Sequence, residues 1–258
     1  MSDLTGRLAL VTGAASGIGA ASARLLAERG ARVVCADCDL PGARAVAESI
    51  VRDGHEATAL LLDVADETGW AVAVESLRHQ ERGLAALVHC AGIAAASPLV
   101  DTTLAEWRRV LAVNLDGSFL AVRAGMRAMQ AHGGAIVLVG SASGARPPAG
   151  AAAYATSKGA LVVLARAAAK ECRQAGLAIR INVVSPGGVK TPMWRSTPFF
   201  QDLVREHGSE EEAFAAMAGP GERFVEPSEV AQAIVFLASD AARRITGADL
   251  PVDDGFVI

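Results

Sequence analysis

The chain has 258 residues, a formal net charge of −4, 52% hydrophobic positions and only 4% aromatic residues. This length and apolar content predict a sizeable folded core and exclude a disordered chain or a small disulfide-stapled one. The slight acidic excess and the scarcity of aromatic side chains give no reason to expect nucleic acid or a membrane as partner. Four cysteines, together with an N-terminus that lacks an apolar stretch, predict a cytoplasmic protein.

Short apolar runs alternate with amphipathic, helix-length stretches along the chain. In order, the sequence predicts strand 8–13, helix 19–29, strand 31–37, helix 40–52, strand 57–63, helix 67–81, strand 86–92, helix 104–130, strand 134–141, helix 154–174, strand 177–186, helix 229–239 and strand 248–255. Continuous Val, Ile and Leu runs are typical of strands covered on both faces. The alternation therefore predicts an α/β fold, a doubly wound parallel sheet of about seven strands with helices on both faces, as a single domain over residues 1–258.

The segment 191–224 interrupts this rhythm with prolines, glycines and several large apolar residues. A long insertion after a strand, at the sheet edge where ligands bind, is typical of a lid or substrate loop. Its apolar side chains are suited either to contacting an apolar ligand or simply to packing the lid onto the sheet or a neighbouring subunit.

A glycine-rich turn from Thr12 to Gly19 joins the first strand to the first helix. Glycines at such a turn let the backbone approach a pyrophosphate, and the helix N-terminus supplies free N–H donors. The second strand ends at Asp37, where a dinucleotide site places the carboxylate that binds the adenosine ribose. With Asp39 nearby and no Lys or Arg beside it, Asp37 would repel a 2′-phosphate, which favours NAD(H) over NADP(H). Asp63 ends the third strand and is suited to accepting a hydrogen bond from the adenine, to capping the next helix, or to both.

Tyr154 and Lys158 form the pattern Y-x-x-x-K, which places both side chains on one face of a helix. Tyr154 is the only tyrosine in the chain. An ammonium beside a phenol is expected to lower the phenol pKa, so that the phenolate can accept a proton from an alcohol. Ser141 lies at the carboxyl end of a predicted strand, where the active sites of such sheets collect.

These motifs together resemble the short-chain dehydrogenase/reductase family, and the similarity covers nearly the whole chain. The shared motifs are the Thr12–Gly19 turn, Asp63-Val64, Cys90-Ala91-Gly92, Asn114, Ser141, Tyr154 with Lys158, and Pro186-Gly187-Gly188. The resemblance implies a Rossmann-type dinucleotide-binding fold and a homotetramer paired through helices 104–130 and 154–174. NAD is the predicted cofactor because of Asp37.

The resemblance also implies a role for each catalytic residue. Ser141 would bind the substrate oxygen, Tyr154 would be the acid/base, and Lys158 would bind the nicotinamide ribose. Asn114 would hold a water that links Lys158 to bulk solvent. The residues predicted to bind the cofactor are Gly13, Ser16, Gly17, Ile18, Gly19, Asp37, Asp63, Val64, Cys90, Ala91, Gly92, Tyr154, Lys158, Pro186, Gly187, Val189 and Thr191. The residues predicted to contact the substrate are Ser141, Ala142, Ser143, Arg146, Tyr154, Gly187, Met193 and Trp194.

Two positions depart from the family pattern. Cys90 replaces the usual asparagine of Asn-Ala-Gly, and a thiol is a poor substitute for an amide that braces the sheet. Asp254 stands in Asp253-Asp254-Gly255, where Asp-Gly-Gly is commoner. His89 should point to the strand face opposite Cys90. No metal site is predicted, because neither the cysteines nor the histidines have partners at ligand spacing.

The predicted function is therefore the NAD(H)-dependent interconversion of a secondary alcohol and a ketone. The apolar lid favours a hydrophobic substrate such as a steroid, an alicyclic alcohol or an aryl alcohol, although Arg146, Arg195 and Arg205 leave room for an acidic group. The alternatives are a 3-oxoacyl-thioester reductase, a sugar-nucleotide epimerase or dehydratase, and a non-catalytic NAD-binding regulator. Acidic Asp37 opposes the first, the chain length opposes the second, and the complete set of catalytic residues opposes the third.

Overall fold

The computed structural model describes residues 4–78, 83–218 and 223–257. Its centre is a seven-stranded sheet in the order β3-β2-β1-β4-β5-β6-β7, and every pairing is parallel. The strands are β1 (Leu8–Thr12), β2 (Arg32–Asp37), β3 (Ala57–Leu61), β4 (Leu84–His89), β5 (Gly134–Val139), β6 (Ile179–Pro186) and β7 (Asp249–Val252). The order reverses between β1 and β4, so a ligand crevice opens at the carboxyl ends of these two strands.

Helices cover both faces of the sheet, as the sequence predicts. They are α1 (Gly17–Glu28), α2 (Leu40–Arg52), α3 (Glu67–Arg78), α4 (Leu104–Leu111), α5 (Gly117–Met129), α6 (Ala152–Gln174), α7 (Pro198–His207), α8 (Glu210–Met217) and α9 (Pro227–Ala238). Neighbouring strand residues face opposite sides. Ala9 and Val11 pack in the layer of α1, α2 and α9, whereas Leu8 and Leu10 pack in the layer of α3, α5 and α6.

The predicted single helix 104–130 is wrong, because the structure breaks it into two helices. A π-helical turn, Ala112–Asp116, separates α4 from α5. Within this turn Asn114 is fully buried, and its side-chain amide binds the backbone of Ile93 in the loop after β4. Such π-turns insert a residue into the helix and are frequent at functional sites. Of the predicted helix 67–81, the last three residues lie outside the described part of the chain.

The segment between Val189 and Val225 forms a lid rather than an open loop. Its two ends are joined, because Val189 pairs with Val225 in a parallel β-bridge. Within the described part of the lid, α7 and α8 pack their buried Phe200 and Phe214 against each other, with ring centroids 4.7 Å apart. The lid therefore has a small apolar core of its own and projects over the carboxyl ends of the strands.

Candidate active site

The glycine-rich turn brings backbone atoms of β1, α1 and the loop after β4 into close contact. Gly13 has a φ of 66°, and a Cβ there would lie 2.7 Å from the backbone nitrogen of Ala91. A Cβ on Gly19 would lie only 2.0 Å from the carbonyl oxygen of Gly13. A side chain is therefore excluded at Gly13 and at Gly19, and α1 begins in this turn, where the first amides of a helix lack partners within the helix. This cradle fits a pyrophosphate group.

Asp37 ends β2 beside this turn and is already oriented by the backbone. Its carboxylate accepts hydrogen bonds from the backbone N–H of Ala15, at 2.9 Å, and of Asp39, at 3.0 Å. The carboxylate of Asp39 points elsewhere, because it caps α2 by accepting from the N–H of Gly42. Of these two carboxylates, only that of Asp37 belongs to the lining of the crevice.

Asp63 does not cap a helix, so that alternative from the sequence is wrong. Its carboxylate accepts from the backbone N–H of Ala65 in a local turn, whereas the first turn of α3 is capped by Asp66, which binds the N–H of Thr68. Asp63 lines the crevice next to Val64, and its predicted contact with the adenine stays a prediction.

Ser141, Tyr154 and Lys158 meet where β5 and α6 converge. The Nζ atom of Lys158 is buried, lies 5.8 Å from the centre of the Tyr154 ring and donates to the carbonyl oxygen of Val139 at 2.8 Å. Ser141 accepts from the backbone N–H of Ser143, which orients its hydroxyl group at the end of β5. The hydroxyl of Ser141, the phenol of Tyr154 and the ammonium of Lys158 therefore lie close together at one end of the crevice.

Burial shifts the pKa values of this cluster in opposite directions. The pKa of Tyr154 is raised by burial, and contact with the Ser141 hydroxyl opposes that rise. Burial lowers the pKa of Lys158 to about 8, opposed by Cys90. The expected lowering of the phenol pKa by Lys158 is therefore not met in the chain by itself, because burial of Tyr154 raises that pKa.

Asn114 connects the broken helix to this cluster. Its amide nitrogen donates to the carbonyl of Ile93 at 3.0 Å and to the hydroxyl of Ser157 at 3.1 Å, while its amide oxygen accepts from the N–H of Ile93 at 2.8 Å. Ser157 in turn donates to the carbonyl of Tyr154. Gly92 separates Asn114 from Lys158, since a Cβ there would touch both side chains. The predicted water at Asn114 stays a prediction.

His89 and Cys90 occupy opposite faces of the sheet, as expected. His89 lies beside Trp70, and its Nδ1 is 2.9 Å from the hydroxyl of Thr12, which also accepts weakly from the N–H of Ala91. Thr12 and His89 thereby brace β1 against β4 with a side-chain contact. Burial raises the pKa of Cys90 to about 12, so the thiol stays protonated and is a poor nucleophile.

Two cavities meet at the catalytic cluster. The first, of about 440 Å³, runs from Asp37 past the glycine turn to Tyr154. The second, of about 450 Å³, lies under the lid. The residues that line both are Ser141, Tyr154, Gly187, Met193 and Trp194. Every residue predicted to bind the cofactor lines the first cavity.

The residues predicted to contact the substrate line the second cavity with one exception, Arg146. The guanidinium of Arg146 instead donates to the backbone carbonyl of Phe256. Three phenylalanines also line this cavity: two belong to the lid, whose apolar side chains the sequence offered as ligand contacts, and the third, in the C-terminal turn, was missed because no motif marks it. They are Phe199, Phe224 and Phe256.

Ion pairs hold the lid together internally, and one hydrogen bond joins it to Val189, which lines the first cavity. Arg195 forms a two-point pair with Glu210 at the start of α8, and Lys190 binds Glu211 at 2.7 Å. Trp194 donates from its indole nitrogen to the carbonyl of Val189 at 2.9 Å. Two of the three arginines that left room for an acidic substrate group, Arg195 and Arg205, are thereby engaged with carboxylates, the latter with that of Asp202.

The described residues include neither a metal-binding cluster nor a membrane-spanning helix. Among them, no group of three or more histidine, cysteine or acidic side chains is arranged to hold a metal ion. Likewise, none of the helices in residues 4–78, 83–218 and 223–257 is long and apolar enough to cross a membrane.

A parallel doubly wound sheet with a glycine cradle at its switch point and a Ser, Tyr and Lys cluster beside it defines a dinucleotide-dependent oxidoreductase. A family model described as enoyl-(acyl carrier protein) reductase matches residues 13–257. The chain belongs to the short-chain dehydrogenase/reductase family.

Relatives of known activity are similar to this chain over its whole length. It is 42% identical to a cis-4-hydroxycyclohexanecarboxylate dehydrogenase of Sinomonas cyclohexanicum over 97% of this chain and 96% of the relative. It is 38% identical to a cyclopentanol dehydrogenase of a Comamonas species over 99% of both. A solved structure of a putative short-chain alcohol dehydrogenase from Sinorhizobium meliloti superposes with a TM-score of 0.86 at 34% identity, covering 99% of this chain and 98% of that one. A secondary-alcohol oxidoreductase with a nicotinamide cofactor is therefore the class of enzyme to which this chain belongs.

Proposed function

We propose that this protein is an NAD(H)-dependent dehydrogenase that interconverts a hydrophobic alicyclic secondary alcohol and its ketone, with Tyr154 as the acid/base. The observation that carries the proposal is the meeting of two cavities at one phenol. One cavity offers a ribose-binding carboxylate, a pyrophosphate cradle and a buried ammonium, and the other offers an apolar surface. A substrate carbon and a nicotinamide ring placed in these cavities would face each other beside Tyr154.

Ser141, Tyr154 and Lys158 each have a separate role in the proposed proton transfer. The hydroxyl of Ser141 would bind the alcohol oxygen, and the phenolate oxygen of Tyr154 would accept the hydroxyl proton, which returns Tyr154 to the neutral phenol. Lys158 stabilises the phenolate by its positive charge and passes protons on through a water held at Asn114. The nicotinamide supplies the hydride acceptor, and in its oxidised form a positive charge that favours the phenolate.

Asp37 supports NAD rather than NADP as the cofactor. A 2′-phosphate would bring about −1.5 to −2 charges next to its carboxylate. At about 4 Å and an effective dielectric near 20, each pair of like charges costs up to about 4 kcal/mol, and less where solvent screens it. Of the described residues lining the first cavity, Lys158 carries the only side-chain cation, and it lies at the opposite end from Asp37.

The substrate class follows from the second cavity and from the relatives. Its lining is largely alanine, phenylalanine, methionine and tryptophan. Its one arginine among the described residues, Arg223, is paired with Asp254 and Glu229. A ring alcohol without charge suits such a surface. Two of the relatives are named for ring alcohols: one is the uncharged cyclopentanol, and the other also carries a carboxylate.

The proposal extends to assembly and location. Apolar side chains are exposed on the helices that the family resemblance assigns to subunit pairing, with Leu104 61%, Phe119 47% and Val163 68% exposed. Exposed apolar side chains on these helices suit contact with a second subunit. We therefore propose a homotetramer, and a cytoplasmic location that suits four unpaired cysteines. Light scattering coupled to size exclusion tests the assembly.

A coenzyme-reduction screen tests the proposed activity. Cyclic, aryl, steroid and sugar alcohols are offered to the purified protein with NAD⁺ and, in parallel, with NADP⁺. We expect turnover of cyclic alcohols with NAD⁺ at much higher kcat/KM than with NADP⁺. Preference for NADPH with a 3-oxoacyl thioester would favour the reductase alternative, and NADH binding without turnover of any alcohol would favour the regulator.

A further inference from the structure

The C-terminal turn after β7 closes one side of the substrate cavity, although no sequence motif assigns it a role there. Asp253 and Phe256 both line the cavity, together with residues of the lid and of the loop after β5. Gly187 lines both cavities, and its lack of a side chain lets the C-terminal turn pack against it. A Cβ on it would come within 3.0 Å of the Cα atom of Asp253.

Local hydrogen bonds give this turn a defined shape. The carboxylate of Asp253 accepts from the backbone N–H groups of Gly255 and Val257, each at 3.1 Å. Asp254 has a φ of 54° and Gly255 a φ of 85°, so two successive left-handed residues turn the chain back. Asp254 is the only described residue other than glycine with a positive φ. Asp tolerates that region better than most residues, although glycine is favoured there.

Two arginines fasten the turn from opposite sides of the cavity. Arg146, from the loop after β5, stacks its guanidinium 4.9 Å from the centre of the Phe256 ring and donates to the Phe256 carbonyl at 2.6 Å. Arg223, where the lid returns to the sheet, lies 3.2 Å from the carboxylate of Asp254. The departure of Asp254 from the family pattern therefore supplies a carboxylate that joins the C-terminal turn to the lid.

We propose that Phe256, held by Arg146, is a specificity-determining residue that limits the size of the alcohol accepted under the lid. The inference rests on the proposed function of the site. A ring held by stacking and by a hydrogen bond to its own backbone is a rigid wall, and rigid apolar walls discriminate between substrates by size. Arg146, which does not line the cavity, is then a positioning residue that acts through Phe256.

The test compares a small alcohol, cyclopentanol, with a bulky bicyclic one in wild type, Phe256→Ala, Phe256→Leu and Arg146→Gln. Phe256→Ala should raise kcat/KM for the bicyclic alcohol, relative to kcat/KM for cyclopentanol, by roughly tenfold or more, and the change should come mainly from KM. Phe256→Leu and Arg146→Gln should move this ratio in the same direction by less. Phe236→Ala is the matched control, because Phe236 is a partly exposed phenylalanine on α9 outside both cavities.

Binding measurements keep this inference separate from the proposed function. Calorimetric titration of the NADH-bound protein with cyclopentanone and with the bicyclic ketone should show the same reversal of preference in Phe256→Ala, and NADH affinity should be unchanged. A preference that stays within about twofold of wild type, in turnover and in ketone binding, would overturn the role of Phe256. A wild type that oxidises no alcohol would instead contradict the proposed function, and the ketone titration would still decide the inference.

Discussion

The two cavities that meet at Tyr154 are built from different kinds of structure. The nucleotide side consists of strand ends, a glycine turn and backbone amides. Its backbone segments lie so close together that a Cβ on Gly13 would be 2.7 Å from the backbone nitrogen of Ala91. The substrate side consists of side chains from the lid, the loop after β5 and the C-terminal turn. A backbone-built site has one shape and suits an unvarying cofactor, whereas a side-chain wall can be changed residue by residue to suit different substrates.

Lys158 belongs to the nucleotide side, and its replacement should give the largest effect. Lys158→Met removes the charge that stabilises the phenolate, so we expect kcat to fall by about 10²- to 10⁴-fold. Its pKa of about 8, below the ordinary value of 10.5, means that the buried charge opposes folding. This cost is fully present below pH 8 and disappears as the pH rises toward 10.5.

The same variant should therefore gain stability while it loses activity. The pKa shift corresponds to about 3 kcal/mol, and loss of the hydrogen bond to Val139 offsets about 1 kcal/mol of this. Urea unfolding of the cofactor-free protein at neutral pH should show the gain. A destabilised Lys158→Met would show that the buried ammonium supports the fold rather than only the chemistry.

Asp37 sets the cofactor preference at the other end of the same cavity. Asp37→Ala should reduce the preference for NAD⁺ over NADP⁺, measured as the ratio of kcat/KM values, by about 10- to 100-fold, because the carboxylate is half-exposed and its repulsion is partly screened. Asp39→Asn is the matched control, since it removes a nearby charge and leaves a side chain able to cap α2. An equal change in both variants would show that net local charge, and not the position of Asp37, decides the preference.

His89 contacts the hydroxyl of Thr12 and so joins β4 to β1 directly before the glycine turn. Burial lowers the pKa of His89 to about 3, so the folded protein keeps it neutral while the unfolded chain takes up a proton below its ordinary pKa of 6.5. Between these values stability should fall by about 1.4 kcal/mol for each unit of decreasing pH from this residue alone. In urea unfolding across this range, His89→Gln should show a shallower loss. An unchanged slope would mean that other groups cause the acid sensitivity.

The sequence predicts the nucleotide side well, because short-range rules determine it. The order of strands and helices, the glycine turn and the position of Asp37 follow from apolar runs, turn residues and the ends of parallel strands. The break at Ala112–Asp116 could not be predicted in the same way. Its residues continue a helical pattern, and the π-turn depends on a tertiary contact, the clamp of Asn114 on Ile93.

The substrate side was predicted only in outline. The lid was recognised from its composition, but its two short helices depend on packing of Phe200 against Phe214, which no local pattern shows. Arg146 was predicted to contact the substrate, whereas in the structure its guanidinium binds the backbone carbonyl of Phe256. Cavities assembled from distant segments require coordinates because their members share no spacing in the sequence.

The central claim is that one phenol carries the proton at the junction of the two cavities. Replacing Tyr154 by Phe removes only the hydroxyl and keeps the ring beneath the Lys158 ammonium. We expect alcohol oxidation to fall by about 10²- to 10⁴-fold, while NADH titration by fluorescence gives the wild-type Kd. A Tyr154→Phe enzyme with near wild-type kcat would contradict the account.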